Sequence, residues 1–400
     1  RGPGRAVGPR GGRGPAHRRP RPRAAAPPAP RRAARPQGRP QGSGGSGLRG
    51  RPARGRAGGR RARCGPKPAP PPPVVLPAAP VKVGPEIGLT VTPVPLNASD
   101  ASQTAVGRFV YAGGIHITSA DTSRLHGLSD LILTDNNGLE AVTDDGDRFS
   151  AKLVLDANGR LVGLTDGKLS PLLGVDGEGL RGKTQGDAEG LTRLPNGERL
   201  VSFERDHRIW RYAVGADGQW SRPAPAPKPA TVFPDNEGME AITAYPAAGP
   251  DAYLVGGEEG EVWLCRLATS CQSVAPQTPN DFTWGLSGFA AFEGKALATL
   301  HRAYDPVRGW RAQVRFLADP LLPAAKQYPL ATLMLDGQVT RDNFEGVALA
   351  AGPGGATRIY LLSDDNGGSM NQRTLLLAFD WTPPPPQPAP PPAPPRKKRR

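Results

Sequence analysis

The sequence predicts an all-β fold, a six-bladed β-propeller with five blades as the alternative, carried between two tails that lack a core. Three observations predict it. Period-2 alternation and tight-turn signals recur through the middle of the chain without a convincing amphipathic helix. A multi-strand unit repeats there, with glycines at Gly127, Gly190, Gly238, Gly288 and Gly346 marking intervals of roughly 50–60 residues, the range of propeller blades. Composition separates that middle sharply from both ends.

Of 400 residues, 100 are Gly or Pro, and the formal net charge is +15. Residues 1–80 hold 20 of the 51 basic residues and no acid, the first acid being Glu86; residues 383–400 hold five basic residues and no acid. The middle, 81–382, keeps 26 basic against 36 acidic residues. The high isoelectric point therefore belongs to the tails and does not make the whole protein a basic nucleic-acid binder; any nucleic-acid contact is expected only through the basic tails. Three segments follow: 1–80, an Arg/Gly/Pro-rich tail and linker; 81–382, one propeller domain; 383–400, a Pro-rich basic tail. The tails contain too little apolar surface to offset ordering entropy and are expected to be disordered. Their charge suits attachment to a polyanion, though a merely solvated tail is the favoured reading. No stretch reaches the ~20 apolar residues of a membrane span, and no apolar core of a secretion signal is visible near Arg1.

The first unit sets the pattern. "HGLSDLIL" from His126 reads as a strand, Asn136-Asn137-Gly138 as a turn, "LEAVTDD" and "RFSAKLVLD" as strands, Asn158-Gly159 as a turn and "RLVGLT" as a fourth strand. Later units begin with "EGLTRLPNGERLVSFE" at Glu189, "EGMEAITAY" at Glu237, "SGFAAFEGKALATLHR" at Ser287 and "EGVALAA" at Glu345. The preceding "VGRFVYAGGIHITS" supplies further strands, which can complete the last blade and remove an exposed edge. Cys265 and Cys271 flank a polar turn and would pair in an oxidising compartment or stay as two thiols.

Polar residues recur at two places in the units. Asp187 and Glu189, Asn236 and Glu237, and Asn343 and Glu345 stand at first-strand starts. Asp144-Asp145, Glu204-Arg205, Glu258-Glu259, His301-Arg302 and Asp364-Asp365-Asn366 stand at second-strand ends. An antiparallel hairpin puts both sets on one blade edge, so a propeller would gather them at one mouth of its channel. Converging carboxylates call for a cation, and thiol-free oxygen donors suit a hard one, Ca²⁺ first. The metal candidates are Glu189, Glu204, Glu237, Asp364 and Asp365. Arg205, His301 and Arg302 are the candidates to face a substrate, the arginines against developing negative charge and His301 as general acid or base. The competing reading has these acids stapling blades through backbone N–H groups. A one-residue register change would turn any of them away from the channel. P-loop, H-E-x-x-H, EF-hand, G-x-S-x-G and Cys-rich zinc patterns are missing.

In order along the chain, "GGIHITS…HGLSDLIL", "VTDDG", "DAEGLTRL…VSFER", "NEGMEAIT" and "NFEGVAL…LLSDDN" resemble the phytase-like proteins named for esterase-like activity, over roughly residues 106–382. The resemblance implies a six-bladed propeller of an exported bacterial group, periplasmic or secreted, acting on a small-molecule phosphate or carboxylic ester; the chain is expected to be a monomer. It puts the family's acidic motifs on Asp144, Asp187, Glu189, Glu204, Glu237, Glu240, Glu345, Asp364 and Asn366. The chain departs from the family at "LHGLSD", where His126 and Asp130 stand in a segment that usually reads "GGLSG". The alternative function is a non-catalytic propeller that binds a ligand or protein at the same rim.

Overall fold

The structure, a computed structural model, describes residues 85–277, 283–292 and 294–383. The expectations for the 1–80 tail and the end of the basic C-terminal tail lie outside the described residues.

Five four-stranded antiparallel blades surround an axis, blades 5 and 1 being joined into one sheet by a parallel pairing of Gly113 with Leu161. Blade 1 runs through Leu128–Thr134, Gly138–Thr143, Asp147–Leu155 and Leu161–Pro171, and blade 2 through Ala188–Arg193, Arg199–Phe203, Arg208–Tyr212 and Ala224–Ala226. Blade 3 comprises Ala241–Ala244, Ala252–Gly256, Val262–Arg266 and Cys271–Val274; blade 4 comprises Gly285–Phe292, Ala296–Asp305, Gly309–Leu317 and Pro329–Leu335. Blade 5 takes Asn343–Ala351, Thr357–Asp364 and Leu375–Trp381, and its fourth strand is Phe109–Thr118 from the other end of the domain. The first strand of each blade packs on the first strand of the next, and that of blade 5 packs on that of blade 1.

The propeller thus has five blades, the alternative count, and not six. The "FVYAGGIHIT" strand pairs with the last strand of blade 5, Phe109 opposite Trp381 and His116 opposite Leu375, instead of founding a blade. Residues upstream tighten this closure. Thr90–Pro93 pairs with Thr118 to Ile115. Ile87 donates its N–H to Gly167 O at 2.9 Å, and Leu169 donates to Pro85 O at 2.7 Å, so one segment clasps blade 5 to blade 1.

Alternating side chains fill the spaces between blades. Between blades 4 and 5, Phe316 and Trp381 are fully buried with ring centroids 4.5 Å apart, a pair that contributes about 0.5–1.5 kcal/mol beyond area burial. Across blade 3, Cys265 lies directly opposite Cys271 and the two are disulfide-bonded, the oxidised outcome of the two left open by the sequence.

Four of the five first strands carry a β-bulge just after their start, between Leu128 and Asp130, Ala188 and Gly190, Leu286 and Gly288, and Phe344 and Gly346. The glycine after the bulge is where the next blade crosses closest. A Cβ on Gly190 would stand 2.8 Å from Ile242 Cγ2, and one on Gly288 2.7 Å from the Glu345 carbonyl oxygen. Blades 1 and 3 correct the sequence phase. Pairing with the second strand aligns Asp130 and Ala241, not Gly127 and Gly238, with Gly190, Gly288 and Gly346. "EGMEAI" holds two Glu-plus-small-residue steps three residues apart, and only the second enters the strand. Asp130 uses the position differently: its carboxylate accepts N–H groups of Leu131 and of Leu191 in blade 2, both at 2.8 Å. Burial pushes that carboxyl well above the usual range.

Candidate functional site

The bulge and the end of the second strand together explain which polar side chains reach the axis. Two residues beyond the partner of each post-bulge position come Asp144, Glu204, Glu258, Arg302 and Asp364, one from each blade. All five line one cavity of about 160 Å³. Glu189, Glu240 and Glu345, immediately before the post-bulge position in blades 2, 3 and 5, line it too, with Asp187, Asn236, Asn366, Lys183 and Arg205. Eight carboxylates therefore face three cations.

The electrostatics follow from crowding in a shielded space. Burial and then Asp187 push Glu204 up to about 7. Burial pushes Glu240 up to about 8, against the pull of Arg302 and with added repulsion from Glu258 and Glu204. Burial raises Glu345 to about 7, and burial with Glu345 beside it raises Asp364 to about 8. Glu189, among Glu240, Glu345 and Asp187, is held well above the carboxylate range, burial contributing most. Arg302 is the counterweight. It bonds Asn343 Oδ1 at 3.0 Å and pairs with Glu345, with Glu258 at 3.6 Å and with Glu240 at 3.7 Å. Burial opposes its charge, but Glu345, Glu240 and Glu258 outweigh that and raise its pKa further. Lys183 pairs with Asp144 and lies 3.9 Å from Asp187, which Arg205 also holds.

Asp187, Glu189 and Glu204 offer carboxylate oxygens within 4.8 Å of one another, a group that could hold a metal ion. Three oxygen donors with raised pKa values fit a hard cation, whose charge would relieve the repulsion that holds protons on them.

Of the sequence candidates, Glu189, Glu204, Asp364, Arg205 and Arg302 line the cavity, and three do not. Glu237 is solvent-exposed on the approach to blade 3, and Glu240 takes the lining position expected for it. Asp365 follows Asp364 and turns outward, accepting the N–H of Gly127 at 3.0 Å and of Gly367 at 3.2 Å. His301 precedes Arg302 and therefore points to the opposite face of its strand. It is fully buried, its Nε2 is 2.8 Å from the Gln277 carbonyl oxygen, and burial pushes it down to about 4. That geometry removes His301 from any contact with a substrate in the cavity. Lys183 escaped sequence reasoning because it sits on a four-residue helix, Lys183–Gly186, in the loop between blades 1 and 2, where no repeat marks it.

A model of the family described as "Phytase-like: Esterase-like activity of phytase" matches residues 123–367. Among curated proteins, none matches the chain. Solved structures similar to it include virginiamycin B lyase from Staphylococcus aureus and the β-propeller domain of Myceliophteria thermophila Cps50 (Swd1). Each is 10% identical with a TM-score of 0.35, and each match covers 74% of this chain and 100% of the other.

Proposed function

The chain belongs to this phytase-like family, and from that premise we propose that it hydrolyses a phosphate or carboxylic ester of a small molecule in the axial cavity. The observation that carries the reading is the convergence of eight carboxylates on three cations in one small cavity. A purely structural set would be neutralised by backbone donors, as Asp130 and Asp365 are; Glu189, Glu204 and Asp187 instead crowd one another.

Asp187, Glu189 and Glu204 would hold Ca²⁺, which when bound would supply positive charge to an anionic or carbonyl oxygen of the substrate. Arg205 and Lys183, both part-exposed, orient the ester and stabilise the negative charge that develops as water adds to phosphorus or to the acyl carbon. Asp364 keeps its proton up to about 8, so at neutral pH it can donate to the leaving alkoxide as the ester bond breaks, while the adding water loses its proton to solvent, from which Asp364 is reprotonated. Arg302 is saturated by its own carboxylates and Asn343; it positions Glu240, Glu258 and Glu345 instead of touching substrate. An exported, oxidising location is part of the proposal, supported by the Cys265–Cys271 disulfide. Among the described residues, no helix is long and apolar enough to cross a membrane.

The test is turnover of p-nitrophenyl phosphate, p-nitrophenyl acetate and phytate by the purified chain with Ca²⁺ or EDTA. Cation-dependent turnover of one of them is expected. Cation binding without turnover on any would favour the non-catalytic binding propeller.

A further inference from the structure

A second group of donor atoms lies on the other side of Lys183, and it differs from the first in chemistry. His126, Asp144 and Asp145 offer one imidazole nitrogen and two carboxylate oxygens, all within 4.8 Å of one another. His126 Nε2 is 3.4 Å from Asp145 Oδ2. His126, just before the first strand, is also one of the two residues by which the segment "LHGLSD" departs from the usual family pattern, and the axial cavity does not use it.

The fold builds this group locally. Gly127 adopts φ +61°, and its carbonyl accepts the N–H of Asp144 at 2.9 Å. A Cβ on Gly127 would come within 2.0 Å of Asp144 Oδ1. The absent side chain is therefore what lets the Asp144 carboxylate lie against the residue next to His126. Lys183 takes Asp144 Oδ2. Asp144 Oδ1 is buried and has no hydrogen-bond partner, although the side chain is only 9% exposed. A buried carboxylate oxygen without a donor is costly and calls for a partner. Neither neighbouring ligand atom supplies a proton to it, whereas a cation between the three would satisfy all of them.

We propose that His126, Asp144 and Asp145 bind a divalent d-block ion of the Zn²⁺ type. One imidazole and two carboxylates match the borderline preference of such ions better than that of Ca²⁺, which favours all-oxygen sets such as Asp187, Glu189 and Glu204. Three protein ligands leave a coordination position for water or a ligand group, and His126 and Asp145 are part-exposed, so the ion is reachable from solvent. Lys183, held by Asp144 and 3.9 Å from Asp187, stands between the two groups. The inference does not depend on the hydrolytic reading, because it concerns binding alone.

The experiment titrates Co²⁺ into the full chain, previously stripped with EDTA, and reads visible absorption, with Zn²⁺ as competitor. His126→Gln and Asp145→Asn are compared with wild type after far-UV dichroism and melting establish that each variant folds. We expect ligand-field bands in the wild type that equimolar Zn²⁺ abolishes, and affinity at least about tenfold lower in each variant, since even indirect partners of metal ligands change affinity by 10–100-fold. Should His126→Gln not fold, Asp145→Asn alone decides. Wild-type protein without bands, or folded variants with the spectrum and affinity of wild type, would overturn the proposal.

Discussion

Arg302 of blade 4 reaches Glu240 of blade 3 across the axial cavity, with 3.7 Å between Nη2 and Oε2. The same guanidinium also holds Glu258 and Glu345, so one cation ties blades 3, 4 and 5 together at their inner edge. Replacing it with Gln would leave three carboxylates facing each other without a counterion. Breaking a buried ion pair from one side costs about 3–5 kcal/mol, and that is the loss expected for Arg302→Gln in denaturant unfolding at pH 8. At pH 5 the loss should be smaller, because Glu345 and Glu240, with pKa values near 7 and 8, are then protonated and need no partner. An equal loss at both pH values would mean that Arg302 acts through packing alone.

The cavity acids also set how the intact protein responds to pH. Glu204, Glu345, Glu240 and Asp364 have folded pKa values of about 7 to 8, against ~4 for unfolded Asp and Glu. The folded state therefore binds more protons than the unfolded state between these limits. Stability from these groups is complete below pH ~4 and is lost as pH rises through 7 to 8. In EDTA, the melting temperature should fall from pH 6.5 to pH 8.5. Adding Ca²⁺ should flatten that fall, since a bound cation replaces the protons. A melting temperature that rises across this window in EDTA would contradict the crowding described above.

His301 should behave as a structural residue. Its ring is buried, neutral above about 4 and bonded to the Gln277 carbonyl. His301→Ala should lower stability by about 1–3 kcal/mol by leaving that carbonyl unpaired. It should leave kcat/KM on any ester the protein hydrolyses within about twofold. The depressed pKa carries its own signature, of opposite sign to the cavity acids: its stabilising contribution is present above the unfolded pKa of ~6.5 and is lost as pH falls towards 4. The variant should therefore lose less stability at pH 4.5 than at pH 7. A large fall in kcat with unchanged stability would return His301 to the reaction.

The contrast between His301 and Arg302 shows what the sequence could and could not reveal. The all-β class and the repeat were legible because alternation and turns are local signals. So were Glu204 and Asp364, which end strands flanked by clear turns. Choosing between neighbours such as His301 and Arg302, or Asp364 and Asp365, needs the register, and the bulges shift it by one residue. The repeated "EG" points to Glu237 over Glu240, whereas the structure asks only for a small residue there, which Ala241 after Glu240 supplies. Lys183 belongs to a loop without periodicity. The blade count was ambiguous because a strand reads the same whether it opens a new sheet or closes the last one; closure is a long-range pairing, Phe109 with Trp381, that no local pattern encodes.

The ring itself can be tested through Gly346, which follows the bulge in blade 5. A Cβ there would lie 2.8 Å from Leu131 Cδ2 and 3.1 Å from Asp130 Cα of blade 1. The leucine tip can turn, but the Asp130 backbone is fixed by its own strand and by the bond from its carboxylate to Leu191. Gly346→Ala must therefore push blade 5 from blade 1, and overpacking of this kind costs about 1–3 kcal/mol. Because Glu345 adjoins Gly346 and lines the cavity, cation affinity should fall as well. Gly163→Ala is the matched control: its Cβ would meet Val154 Cβ at an ordinary 3.6 Å and its φ is not positive, so stability should hold or rise by ~0.4–1 kcal/mol. Equal melting temperatures and cation affinities for the two variants would mean that the blades do not meet at these glycines.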